Sequence, residues 1–304
     1  MIDPSGEQFE IVLGDQRATI VQVGGGLRSF QAGDLEVLDG YPSETMCHDG
    51  RGQLLAPWPN RLAGGEYQFE GESHRLPINE PASGNAIHGL VRWANWIAGE
   101  RTPSSIVMSY CLYPSPGYPF TLQLSARYAL QPEGLEVQLA ARNAGTRTCP
   151  FGAGQHPYIK AGPGAIDSAR LQIPAGAMYR YNQKLIPTER VPVGGSHLDF
   201  RTPKRIADTV INTDFTDLTR DEKGYAGVAL ESDEGPRVTV WMDGSFPHVT
   251  VYTGETVLPE SRRRHGLAVE PMSCPPNAFQ SGEDLVVLQS GQTWRGSWGV
   301  SVAR

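Results

Sequence analysis

The chain has 304 residues, with 35 glycines, 24 prolines, 39% apolar residues and a formal net charge of −7 at pH 7. The glycine and proline content without a G-X-Y repeat, together with the apolar fraction, excludes a collagen-like or disordered chain and favours a turn-rich globular protein. Because a net negative surface repels phosphate backbones and anionic lipids, we expect neither nucleic acid nor a membrane as a partner.

The beginning of the chain carries no recognisable targeting signal. Residues 1–7 lack a basic stretch followed by an apolar one, and no run approaches the roughly 18 apolar residues that span a membrane. The four cysteines form no CxxC pair, which argues against a zinc site or a disulfide framework. We expect a soluble cytoplasmic protein with reduced thiols, without metal or cofactor, and a monomer or weak homodimer.

The hydrophobic pattern along the chain has a period of two rather than 3.6, which is typical of strands with one face in solvent. The clearest run alternates apolar and polar residues from Phe120 to Tyr128. No amphipathic helix of twelve or more residues is predicted. Strands are predicted, in chain order, at 10–13, 18–23, 35–38, 106–111, 120–128, 135–141, 227–230, 238–242, 249–251, 267–269, 285–288 and 298–302.

Turn residues between these runs predict how some strands connect. Residues 131–134 have the sequence QPEG, in which proline presets φ and glycine accepts a positive φ, so 120–128 and 135–141 are predicted to form a hairpin. Residues 243–248 join 238–242 and 249–251 as a second pair. Many short strands without a linker predict one all-β domain over 1–304, a β-sandwich or barrel.

Three segments rich in glycine and proline carry polar residues of the types found in binding and catalytic sites. The common sequence motifs for nucleotide binding, zinc proteases, serine hydrolases and calcium binding are absent. The first segment holds Asn60 and Arg61, followed by His88 beside Gly89. The arginine guanidinium offers several hydrogen-bond donors in a fixed geometry, and the asparagine amide offers both a donor and an acceptor. These groups suit a ligand with several hydroxyls. The alternative is a loop held by its own hydrogen bonds.

The second and third segments contain the groups best suited to proton transfer. His156 lies between Gly154 and Pro157 on a constrained backbone, and histidine exchanges protons near neutral pH; the alternative is a structural histidine. Glu270 follows an apolar strand and precedes Pro271, which predicts a strand end at a sheet rim, where partial burial raises the carboxyl pKa. The alternative is an ordinary solvated carboxylate.

Taken together, these segments resemble the aldose 1-epimerase (galactose mutarotase) family over most of the chain. The resemblance implies a large antiparallel β-sandwich and a cofactor-independent isomerase acting on a small sugar. Its motifs occur in the family's order, namely Asn60-Arg61 with Gly64-Gly65 and Tyr67, Asn85-x-x-His88-Gly89, Gln155-His156-Pro157-Tyr158, and Glu270-Pro271 with Pro276-Asn277-Ala278.

Residue by residue, the resemblance makes Glu270 the general base and His156 the general acid. It makes His88 and Arg61 groups that position the substrate or stabilise an oxyanion. The remaining residues of the matching segments that we expect to contact the sugar are Asn60, Tyr158 and either Asn212 or Asp214. The last two stay open because the family's sugar-binding aspartate, in an Asp-x-x-Phe context, falls on an asparagine in the segment Asn212-Thr213-Asp214-Phe215.

The predicted function is the interconversion of the α and β anomers of a free hexose. One alternative is a hexose-6-phosphate epimerase, for which Arg262-Arg263-Arg264-His265 would be a phosphate clamp rather than a solvated loop. Another is a noncatalytic sugar-binding module, against which the presence of Glu270 and both histidines argues. Trp58, Trp93 and Trp96 do not separate these alternatives, because aromatic residues serve an enzyme, a lectin or a core equally.

Overall fold

The computed structural model describes residues 2–233 and 235–303, and strands dominate it. Helical structure in these residues is limited to two 3₁₀ turns, Ile166–Ser168 and Glu260–Arg262, and the short α1, Ala278–Ser281. In chain order the strands are β1 (Gln8–Leu13), β2 (Gln16–Val21), β3 (Leu27–Ala32), β4 (Leu35–Glu36), β5 (Leu54–Leu55), β6 (Arg61–Ala63), β7 (Glu66–Phe69), β8 (Glu72–Arg75), β9 (Asn85–Ile87), β10 (Ile97–Thr102), β11 (Ser105–Leu112), β12 (Leu122–Gln131), β13 (Gly134–Asn143), β14 (Cys149–Phe151), β15 (Gly154–Gln155), β16 (Tyr158–Ile159), β17 (Arg170–Gln172), β18 (Ala175–Tyr181), β19 (Pro187–Pro192), β20 (Lys204–Arg205), β21 (Asn212–Leu218), β22 (Ala226–Glu231), β23 (Arg237–Met242), β24 (His248–Tyr252), β25 (Leu267–Met272), β26 (Val286–Leu288) and β27 (Thr293–Ala303).

Two large antiparallel sheets organise these strands. The nine-stranded sheet has the order β10-β11-β12-β13-β27-β23-β22-β17-β20, and the eight-stranded sheet contains β19-β18-β21-β24-β25-β15-β5, with β16 also paired to β25. The strands β1 to β4 form a smaller sheet of their own. This all-β, antiparallel architecture confirms the predicted fold class.

The core lies between the inner faces of the two large sheets, which makes the architecture a β-sandwich. Val137 and Val240 of the nine-stranded sheet and Val251 of the eight-stranded sheet are fully buried members of the same hydrophobic cluster. A polar contact also joins the sheets, because the side-chain amide of Gln155 donates to the Tyr128 hydroxyl oxygen at 3.0 Å. Burial of alternate side chains explains why the period-two pattern predicted these strands.

One predicted connection is confirmed and another is wrong. The hairpin of β12 and β13 closes with Gln131 opposite Gly134, as the turn residues predict. In contrast, β23 pairs with β22 and β27 in the nine-stranded sheet, whereas β24 pairs with β21 and β25 in the eight-stranded sheet. The connection between β23 and β24 begins with a turn at residues 244–245, closed by a hydrogen bond from the Phe246 N–H to the Asp243 carbonyl oxygen at 3.1 Å. It then passes from one sheet to the other with Phe246 fully buried, so it does not join the two strands as a hairpin.

Candidate active site

A polar cleft with a volume of about 240 Å³ lies at the eight-stranded sheet. This volume is slightly below the roughly 300 to 1,000 Å³ of sites for drug-sized ligands, so it suits a smaller ligand. Seven of the eight site residues predicted from the sequence line the cleft: Asn60, Arg61, His88, His156, Tyr158, Asn212 and Glu270. The fold therefore brings together segments that are more than 200 residues apart in the chain.

Glu270 lies inside β25, where it is paired in register with Thr250 of β24 and is only 3% exposed. The prediction of a strand end at a sheet rim is therefore wrong. It assumed that Pro271 stops the strand, but proline is tolerated where a ladder is interrupted. On one side of β25, β15 pairs only with Met272, and β16 pairs only with Leu267 and Ala268. The ladder on that side is therefore interrupted between Ala268 and Met272, where Pro271 lies.

His156 occupies the gap between β15 and β16 and faces Glu270 across it. The His156 Nε2 atom lies 3.3 Å from Glu270 Oε1. The imidazole stacks on the Tyr158 ring, with centroids 5.0 Å apart and planes 16° apart. Behind it lies Gly50, at φ +73°, where a Cβ would stand 2.9 Å from His156 Cδ2. The ring is thus held between neighbours that leave it little freedom.

His88 places a second imidazole in the cleft. Its ring centroid lies 5.4 Å from that of His156, with the two planes at 75°. His88 has a φ of +63°, which is strained for a residue with a Cβ. The next residue, Gly89, must be glycine, since a Cβ there would lie 2.0 Å from the Ala56 carbonyl oxygen. This close approach fixes the direction in which His88 points.

Several buried polar atoms of these residues have no hydrogen-bond partner. They are Glu270 Oε2, His156 Nδ1 and His88 Nδ1. Buried polar atoms in proteins are nearly always paired, so an unpaired set at one cleft requires an explanation. The unpaired atoms belong to three residues that line the same cleft.

Burial shifts the pKa values of the three groups toward their uncharged forms. Desolvation, with repulsion from Asp214, raises the pKa of Glu270 well above its usual value. Desolvation lowers the pKa of His156 to about 3 and that of His88 well below its usual value. Burial therefore favours a neutral carboxyl group beside neutral imidazoles.

The guanidinium of Arg61 forms an ion pair with a carboxylate of the protein. Its Nε and Nη2 atoms donate to the two carboxylate oxygens of Glu80 at 2.9 and 2.8 Å. This bidentate pair neutralises the charge and sets the orientation of the guanidinium. Asn60, at φ +53°, donates from Nδ2 to Thr250 Oγ1 at 3.3 Å. These hydrogen bonds hold the side chains of Arg61 and Asn60 in place at the cleft.

The structure distinguishes between Asn212 and Asp214 by their place in β21. Asn212 is exposed and lines the cleft, whereas Asp214 is fully buried and does not line it. Asp214 accepts hydrogen bonds from the hydroxyl groups of Thr250 and Tyr181. Burial raises the pKa of Asp214 to about 7, although the Thr250 hydroxyl opposes that shift. Asp214 therefore supports the cleft from behind.

Two neighbouring residues of the cleft, Arg92 and Trp93, were not among the predicted site residues, although Trp93 was one of the three tryptophans considered. Trp93 is 49% exposed, whereas Trp58 and Trp96 are buried in the core. The only signal for Arg92 was its position four residues after His88, which by itself indicates no contact. Its place in the cleft depends on the loop that follows β9.

Each arginine of the segment considered as an alternative phosphate clamp binds a carboxylate of the protein. Arg262 binds Asp39, Arg263 binds Glu260, and Arg264 binds both Asp167 and Glu255. None of the three arginines lines the cleft. Their charges are thus compensated by carboxylates within the protein.

The cleft does offer one set of groups that could hold a metal ion. Ligand atoms of His88, His156 and Glu270 lie within 4.8 Å of one another. The spacing argument used on the sequence could not detect this set, because its members come from three distant segments. A metal would require Glu270 to be ionised, against the direction in which burial shifts its pKa.

A buried carboxyl and imidazole pair in an open polar cleft of an antiparallel β-sandwich defines a small-molecule-binding protein equipped for proton transfer. The family model for aldose 1-epimerase matches residues 9–301. The chain therefore belongs to the aldose 1-epimerase family. No helix among the residues described by the structure is long and apolar enough to cross a membrane.

Individual relatives agree with this assignment. The uncharacterized Escherichia coli K12 protein YihR is 38% identical over 299 residues, with 96% of this chain and 92% of YihR covered. A galactose mutarotase from Sus scrofa is 28% identical over 221 residues, covering 68% of this chain and 63% of the relative. A solved GalM/aldose epimerase homologue from C. elegans has a TM-score of 0.87 at 15% identity, covering 98% of this chain and 99% of that chain.

Proposed function

We propose that this protein interconverts the α and β anomers of a free, unphosphorylated hexose by acid/base ring opening and reclosure. The observation that carries the proposal is the 3.3 Å contact between His156 Nε2 and Glu270 Oε1, with further unpaired atoms of both residues at the cleft. A base and an acid are thus available to one small ligand. Two positioned proton transfers could together supply up to about 10⁸ in rate.

Ring opening requires two proton movements and the cleavage of one bond. The Glu270 carboxylate takes the proton of the C1 hydroxyl, the His156 imidazolium gives a proton to the ring oxygen, and the bond between C1 and the ring oxygen breaks. The open aldehyde then rotates about C1–C2. Closure reverses both transfers on the other face and returns the pair to its starting state.

Burial shifts the balance between the two protonation states of the pair toward the neutral one. Ordinary pKa values favour carboxylate and imidazolium, but burial raises the pKa of Glu270 and lowers that of His156. Ring opening converts the charged pair into the neutral pair, and closure converts it back. Burial therefore stabilises the neutral pair that ring opening produces.

The other cleft residues are proposed to hold the sugar. His88, fixed by the loop at Gly89, faces the reacting region beside His156. Arg61 and Asn60 line the same cleft and contact the sugar, and Asn212 takes the hydroxyl contact for which Asp214 is too deeply buried. Tyr158 positions the His156 ring by stacking on it.

Two observations favour this function over its alternatives. The arginines of the suspected phosphate clamp are paired with carboxylates away from the cleft, which disfavours a hexose 6-phosphate. The intact Glu270 and His156 pair disfavours a noncatalytic module. Relatives named galactose mutarotase and maltose epimerase support an unphosphorylated sugar as the substrate class.

The test is anomer exchange, followed by polarimetry and by NMR, on a panel of free and 6-phosphorylated hexoses. We expect catalysed exchange for at least one free sugar and much slower exchange for the matching 6-phosphate. Glu270→Gln serves as the control that separates catalysis from binding. A protein that binds sugars without accelerating exchange would be the noncatalytic module, and a preference for the 6-phosphate would refute the free-sugar assignment.

A further inference from the structure

Arg92 is the feature of the cleft that the proposed reaction does not use. It is half-buried, lines the cleft beside His88 and Trp93, and its buried Nε atom has no hydrogen-bond partner. Within residues 2–233 and 235–303, its guanidinium makes no ion pair with a carboxylate. Arg61, the other arginine of the cleft, is in contrast held by Glu80.

The acidic groups near Arg92 do not compensate its charge. Asp49 lines the same cleft, but its carboxylate binds Arg51 at 2.7 Å. Glu80 is occupied by Arg61. Cys47, the neighbouring thiol, has its pKa raised to about 12 by burial, so that it carries no charge at neutral pH.

An uncompensated cation that is partly removed from water costs free energy unless a ligand supplies the opposite charge. Burial accordingly lowers the pKa of Arg92 from its usual value. The guanidinium carbon also lies 5.6 Å from the centroid of the Trp93 ring, a cation-π contact that restrains the side chain before a ligand arrives.

We propose that the sugar bound in this cleft carries a singly charged oxyanion that pairs with Arg92. This inference rests on the proposed epimerase function and narrows its substrate class. The fork of guanidinium donors matches carboxylate, sulfonate and sulfate groups, which all present two oxygens on one atom. One uncompensated cation balances one negative charge, whereas a phosphate monoester carries about −1.5 to −2 at pH 7.

The experiment compares kcat/KM for anomer exchange of glucose, glucuronate, glucose 6-sulfate, 6-deoxy-6-sulfoglucose and glucose 6-phosphate. We expect at least one of the three monoanions to exceed glucose by about tenfold or more, the effect of one charge-assisted contact. The monoanion that gains most identifies the group. Equal values for glucose and all monoanions, or the highest value for glucose 6-phosphate, would overturn the inference.

Variants at Arg92 test whether this residue is the cause. Arg92→Gln should lower the ratio of kcat/KM for the preferred monoanion to that for glucose by about tenfold or more, and Arg92→Lys should lower it less because it keeps the charge. Arg127, also half-buried but on β12 away from the cleft, provides the matched control Arg127→Gln, which should leave the ratio unchanged. Equal losses for glucose and the monoanion in Arg92→Gln contradict the assignment.

Binding measured without turnover separates this inference from the proposed function. Calorimetric titration of the same sugars into Glu270→Gln reports affinity alone, and Arg92→Gln in that background should selectively weaken the monoanion. Absence of catalysed exchange for every sugar, with selective monoanion binding retained, would refute the epimerase and leave the Arg92 contact standing. Exchange of neutral sugars without monoanion preference in rate or affinity would refute only the Arg92 contact.

Discussion

The buried imidazole of His156 predicts a specific loss of stability in acid. In the folded protein, desolvation lowers the pKa of His156 from 6.5 to about 3. The unfolded chain therefore binds a proton at this residue before the folded chain does. A group with a depressed folded pKa contributes stability that is complete above the unfolded pKa and is lost as the pH falls toward the folded value.

The magnitude follows from those two pKa values. At pH 5 the unfolded imidazole is largely protonated while the folded one is neutral, which corresponds to about 2 kcal/mol of lost stability relative to pH 7.5. Toward pH 3 the loss reaches at most about 5 kcal/mol. A loss of this size is a large fraction of the roughly 5 to 15 kcal/mol that holds a typical protein folded.

The measurement is urea unfolding at pH 7.5 and pH 5 in two variants, Glu270→Gln and Glu270→Gln/His156→Gln. Glutamine at 270 mimics the protonated carboxyl and stops that neighbour from titrating. His88 also has a lowered pKa and contributes in the same direction, but it is present in both variants. The difference in stability between the two pH values should be smaller by about 2 kcal/mol in the double variant. The same difference in both variants would refute the assignment to His156.

Further predictions concern catalysis. Glu270→Gln should reduce NMR-measured anomer exchange by about a hundredfold or more while calorimetry shows sugar binding retained, and near wild-type exchange would remove Glu270 from the mechanism. The kcat/KM value should not fall as the pH is lowered from 6.5 to 5, because the pKa of His156 is near 3, and it should fall as the pH rises through the raised pKa of Glu270; a loss of activity on acidification through pH 6.5 would contradict this. Dialysis against EDTA should leave turnover unchanged, and recovery of lost activity by a divalent ion would show that the cleft uses metal. Gly50→Ala should lower kcat by displacing His156, whereas Gly71→Ala, at a similar positive φ but with open space around it, should not.

The sequence alone was sufficient for the elements whose signals are local. Alternation of apolar and polar residues predicts β12 and β13, and the residues between them predict their hairpin, because both patterns depend on neighbours in the chain. The same pattern predicts β23 and β24 as strands. It could not show that they belong to different sheets, since that depends on the burial of Phe246 against residues far away in the chain.

For the site, the sequence determined which residue types were available, and the resemblance grouped Glu270, His156, His88 and their neighbours. Only the tertiary structure decided the charge state and partners of these groups. Glu270 is buried because its strand, β25, is flanked by β24 on one side and by β15 and β16 on the other. Among the residues that the structure describes, no carboxylate pairs with Arg92, because Asp49 and Glu80 bind other arginines. Such long-range pairings determine desolvation and electrostatic balance, and no local pattern in the chain encodes them.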